Sequence, residues 1–143
     1  MSFGGIESQL INRLEAMLVE VSVLPISDFT SISEGTQKAK AVYVAYQGYN
    51  VTETRADGLA AQIEQTWLTV VVRRNVRLMT GAQPAREDAY QIMDIVFSAL
   101  AGFQPIGASE PLRLTNAQEA EYVAGQAIFP MAWAVKTVLR GNP

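Results

Sequence analysis

The chain contains no cysteine and no histidine. Without thiols there can be no disulfide and no cysteine nucleophile. Without imidazole as well, Ser-His-Asp and Cys-His triads are excluded, with nearly every zinc, copper, haem or iron–sulfur site that side chains build. Catalysis, if any, would have to run on carboxylates, Lys, Tyr, Ser or Thr. Charge is also sparse: 17% of residues are charged, 11 basic against 14 acidic, for a net charge of -3. Such a molecule has no overall attraction for a phosphate backbone, which argues against general nucleic-acid binding. No apolar run reaches the roughly 18 residues that a membrane-crossing helix requires. The N-terminal MSFGG leads directly into a charged amphipathic stretch, with no basic or apolar leader region. The sequence therefore reads as a soluble protein made in a cytoplasm, and the Asn50-Val51-Thr52 sequon as a chance match. Neither GxxxxGK[ST] nor GxGxxG occurs, and no cofactor or metal is expected.

What the sequence does have is apolar surface. Residues of this kind make up 49% of 143, enough for one domain over 1–143 that buries roughly two thirds of its unfolded surface. Ile6, Leu10, Leu14, Met17, Leu18 and Val21 follow helical spacing, predicting an amphipathic helix of about four turns that stops before Leu24-Pro25. Residues 26–38 read as a loop with room for one short strand. Residues 40–49 (KAVYVAYQGY) are β-branched and aromatic, and predict a strand. A polar stretch, 50–59, separates it from a second strand over 62–76, giving a hairpin with a long tip or an extended ribbon. In that second strand Thr66, Leu68, Val70 and Val72 alternate with Trp67, Thr69 and Val71. Both faces are apolar, which places it in the middle of a sheet or against another subunit.

A second helix is marked by Ala85, Ala89, Ile92, Met93, Val96, Phe97 and Leu100. Pro84 suits its first turn, Glu87 and Asp88 its positive end, and Gly102 its C-terminal cap. Strands are expected over 112–115, 119–123 and 125–139, the last with Ala127, Phe129, Met131, Trp133 and Val135 on one face. Pro130 in that strand calls for an edge or a bulge. The order predicts an α+β fold, a single domain whose largely antiparallel sheet carries both helices packed on one face. Two helices covering one face leave apolar surface that should seek a partner.

Three clusters could carry function. Arg73, Arg74 and Arg77 close the second strand, Arg73 and Arg77 on one side and Arg74 on the other. They suit an acidic partner subunit or a passing phosphate backbone; a solvated strand end is the plainer reading. Glu119 and Glu121 at i, i+2 share a predicted strand face, a spacing that suits acid–base chemistry or a divalent ion, or simply a charge-protected edge. Tyr43, Tyr46, Tyr49, Trp67 and Trp133 sit at strand spacing, and core packing accounts for most of them.

The segments IESQLINRLEAML, KAVYVAYQGYNV…QIEQTWLTVVVRRN, AREDAYQIMDIVFSALAGF and AIFPMAWAVKTV, in this order, resemble the tail terminator (tail completion) proteins of long-tailed bacteriophages, closest to those of Mu-like contractile phages. The resemblance runs from Ile6 to Leu139. It implies a non-enzymatic virion protein, assembled in the host cytoplasm, that forms a homohexameric ring at the head-proximal end of the tail. Its partners would be the tail tube protein, the neck or head-completion protein and, in contractile tails, the last ring of sheath. DNA would pass through the lumen without specific binding, and no membrane is involved. Glu53, Arg55 and Asp57 on the ribbon tip, with Arg73, Arg74 and Arg77, are the expected contacts to neighbouring copies or to the tube. Competing readings are a neck ring protein, a dimeric small-ligand-binding α+β domain with an enclosed pocket, and a hydrolase built on Glu119 and Glu121.

Overall fold

The structure, a computed structural model, describes residues 5–26, 40–74, 83–123 and 126–142. The elements run α1 (Ile6–Met17), β1 (Ser22–Pro25), β2 (Lys40–Thr54), β3 (Ala60–Arg74), α2 (Gln83–Leu100), β4 (Arg113–Thr115), β5 (Glu121–Val123) and β6 (Gln126–Arg140). The sheet order is β1-β2-β3-β6-β4, with β5 also on β6, and every pairing is antiparallel except that of β1 with β2. This is the predicted α+β architecture.

β3 is central, paired along its length to β2 on one side and β6 on the other. That position explains its two apolar faces. On one face Val42, Val44, Trp67, Val71, Phe129, Trp133 and Val135 meet Ile6, Leu10 and Leu14 of α1 and Ala89, Ile92, Val96 and Leu100 of α2. Both helices thus lie on the same face, as their apolar stripes require. On the other, Ala41, Tyr43, Ala45, Leu68, Val70, Val72, Ile128 and Ala132 form a second buried cluster. This corrects the expectation of a large uncovered apolar face: beside the upper half of β2 and β3, that face is already buried within the chain.

α1 is a turn shorter than its apolar spacing suggests. Leu18 adopts extended angles (φ -98, ψ 122) while its N–H still donates to the Leu14 carbonyl at 2.8 Å. Glu20, at φ 62, turns the chain back into β1. Leu18 and Val21 keep their core contacts from outside the helix. α2 ends as expected: Gly102 sits at φ 77, where glycine bears no Cβ penalty. Its N–H donates to Leu112 O at 3.2 Å. The stop of α2 is also held by Arg13, whose Nε donates to Ala99 O at 2.6 Å while the guanidinium lies over the Phe103 ring.

Pro130 pairs with Val70 on its inner side. Outward, β5 covers β6 only to Ile128 and β4 resumes at Ala132, so the proline occupies an unpaired stretch of edge. Two indoles anchor the middle of the sheet through polar partners. The Trp133 Nε1–H donates to Thr69 Oγ1 at 3.0 Å and the Trp67 Nε1–H to Gln65 Oε1 at 3.1 Å. Gln65 Nε2 in turn donates to Thr137 Oγ1 at 3.0 Å. Gln65, Thr69 and Thr137 are fully buried, so these bonds satisfy groups that would otherwise destabilise the core.

Candidate assembly interface

β1 accompanies β2 only as far as Val44, and the Ile26 N–H adds one more bond to the Val44 carbonyl. β2 and β3 continue as a ribbon to Thr54 and Ala61, so the first half of the polar stretch expected as a separator is strand. Among the described residues nothing pairs with the outer edge of β2 beyond Ala45, and residues 46–54 are exposed apart from the half-buried Gly48.

Two bulges, at Tyr46/Gly48 and Val51/Glu53, interrupt the register. The first resets the alternation of side chains. Tyr46 then faces Trp67, Tyr49 faces Gln65 and Val51 faces Ile63, so all three lie on the side that carries the helices. They are 39%, 51% and 57% exposed. Strict alternation would have separated Tyr46 from the other two. Tyr46 packs on Trp67 with ring centroids 4.9 Å apart, and partial burial, then the neighbouring Tyr49, push its phenol pKa up.

At the tip, Arg55 Nε and Nη2 donate to the two carboxylate oxygens of Asp57 at 2.8 and 2.6 Å. Asp57 Oδ1 also accepts the Leu59 N–H at 3.0 Å. These contacts, the guanidinium first, hold the Asp57 carboxyl below its usual range. Gly58 takes φ 76, and its N–H closes the turn on the Arg55 carbonyl at 2.9 Å. Glu53 and Arg55 border a concavity of about 230 Å³ with Gln62 and Val138.

The expected arginine cluster lies at the far end of β3, roughly 45 Å away for a strand of this length. Arg73 Nε donates to Asp88 Oδ2, and Lys40 Nζ stands 3.6 Å from the same oxygen. Asp88 thus ties α2 to the ends of β2 and β3, and the first turn of α2 holds no acidic residue, which corrects its assignment to the helix dipole. Arg74 sits opposite Gln126 in the register, and Arg77 lies outside the described residues. The nominated contacts among the described residues therefore form two sets at opposite ends of one ribbon. Glu121 opens β5 while Glu119 precedes it; both are exposed, and they do not share a strand face as expected.

Two further concavities, about 490 Å³ along Asn50, Glu64 and Asn116 and about 520 Å³ along Gln9, Arg13 and Phe103, are open to solvent. No helix among the described residues is long and apolar enough to cross a membrane. The edge of β2, with its aligned Tyr46, Tyr49 and Val51, went unrecognised in the sequence because the bulge that aligns them leaves no composition signal beyond Gly48.

No curated protein matches the sequence. A chain in the solved structure described as the virion of a native gene transfer agent (GTA) particle shares the fold, with a TM-score of 0.64 at 15% identity, over 96% of this chain and 99% of that one. The profile of the phage tail terminator protein family matches residues 6–143. The chain belongs to the phage tail terminator family and is thereby a structural protein of the virion tail.

Proposed function

We propose that the protein closes the head-proximal end of the tail tube as a ring of six copies, ends tube polymerisation and presents its opposite face to the neck or head-completion proteins. Family membership over residues 6–143 carries this reading. The surface is compatible with it. A ribbon roughly 45 Å long, by strand rise, whose β2 edge is unpaired beyond Ala45 among the described residues and whose tip is polar, offers contacts at separated heights. A head-to-tail contact between identical subunits closes into a ring when the rotation per subunit fits. With no cysteine, closure rests on burial and non-covalent pairing alone.

In this reading Glu53, Arg55 and Asp57 meet a neighbouring copy or the tube protein, and Arg73, Arg74 and Arg77 contribute at the other end. Contact with a sheath ring would apply if the tail contracts. Light scattering coupled to size exclusion, alone and with tube protein present, tests the ring. A mass of six chains is expected; a monomer that also fails to bind tube ends would overturn it.

A further inference from the structure

We infer that neighbouring copies join by β-sheet extension, the outer edge of β2 beyond Ala45 in one subunit pairing with the outer edge of β4 in the next, both of them unpaired among the described residues. This rests on the ring reading above and names the surface that closes it.

Three geometric facts support the match. Tyr46, Trp67, Trp133 and Leu114 occupy one row across the sheet, so the two edges stand at the same height. Three successive antiparallel pairings separate β2 from β4, so the two strands run in opposite directions. For strands that run along a ring axis, rotation about it preserves their direction, and a neighbour's β4 then reaches β2 in antiparallel sense. Tyr46 and Leu114 also lie on the same side of the sheet, opposite Trp67 and Trp133, so the apolar faces would be continuous across the junction.

The chemistry of the two edges agrees with this. A long exposed edge is ordinarily protected by charge, proline or an inward-pointing Lys. Residues 45–54, AYQGYNVTET, hold one charged side chain, Glu53, and no proline. The first of its two bulges gathers Tyr46, Tyr49 and Val51 on one face. β4 is exposed throughout, and Leu114 is 47% exposed at the matching height. Each edge alone would leave apolar surface and backbone groups to water. Joined head to tail, each covers the other, and the contact leaves one free edge of each kind until the ring closes.

The cysteine-free background makes the test direct. Y46C and L114C are introduced singly and together, and the purified protein is treated with a short bismaleimide, with light scattering run on the same samples. The double variant should give a ladder of covalent oligomers on a denaturing gel, ending at the ring number, while each single variant stays at the mass of one chain. V51C in place of Y46C, four rows or about 14 Å further along the edge, should give the same ladder with a longer bismaleimide, so a local defect at Tyr46 does not decide the outcome. Cross-linked dimers from Y46C alone would overturn the inference in favour of paired β2 edges. An assembled ring by mass with no ladder from either double variant would overturn it while leaving the ring intact. Absence of any assembly, alone or on tubes, would remove the ring reading and this inference with it.

Discussion

Gln65 ties β3 to β6 through one side chain, accepting from the Trp67 indole on its own strand and donating to Thr137 on β6 while wholly buried. Gln65→Leu keeps the volume but orphans both partners, at about 1–3 kcal/mol for each. Urea unfolding should show that loss as a lower midpoint with little change in slope. Nothing in the sequence singled out this residue, because a glutamine in a strand reads as surface until the cross-strand partner is known. Trp67 and Trp133 were legible as core from alternation alone. At the tip, the depressed Asp57 carboxyl stays ionised through the usual carboxylate range, so its contacts are present above that range and are lost only as pH falls through the lowered value. The Leu59 amide signal, which reports the bond to Asp57, should be constant near neutrality and shift only in more acidic solution than an ordinary Asp requires. Asp57→Asn should remove that late transition.

At the scale of elements, α2 and β3 were readable because burial contrasts sharply along them. The α1 boundary was not: Leu18 and Val21 stay in helical phase by sequence yet pack against the core from beyond the helix end. The second half of β2 was hidden for a related reason. A strand segment that is exposed nearly throughout carries no burial-driven alternation of apolar and polar residues to detect. The bulge there depends on Gly48, whose φ of 136 is rarely adopted by residues with a Cβ although no atom lies within 4 Å of one built there. Gly48→Val should therefore cost about 1–3 kcal/mol through backbone strain rather than collision. Denaturation measures that cost, and a loss of Tyr46–Trp67 stacking in the near-UV circular dichroism would show that the bulge has moved. The link from Asp88 to Arg73 and Lys40 joins residues distant in sequence, which is why the acidic residue was first assigned to its own helix.

For the whole molecule, family and fold class were accessible from element order and texture, whereas the surfaces used in assembly were not, since they depend on which edges the sheet leaves open. Substituting Arg55 and Asp57 together by Ala should leave the monomer's unfolding midpoint essentially unchanged, because both groups are at the surface. The same variant should weaken ring closure or attachment to the tube. An unaltered assembly mass and unaltered tube binding would exclude the tip as a contact. The central claim, that this subunit stops tube growth, is tested most directly by electron microscopy of tail lengths in particles produced with and without the gene for this chain. Without it, tubes should be overlong and varied in length, and supplying the wild-type protein should restore a single length. Tails of uniform, normal length in its absence would contradict the account.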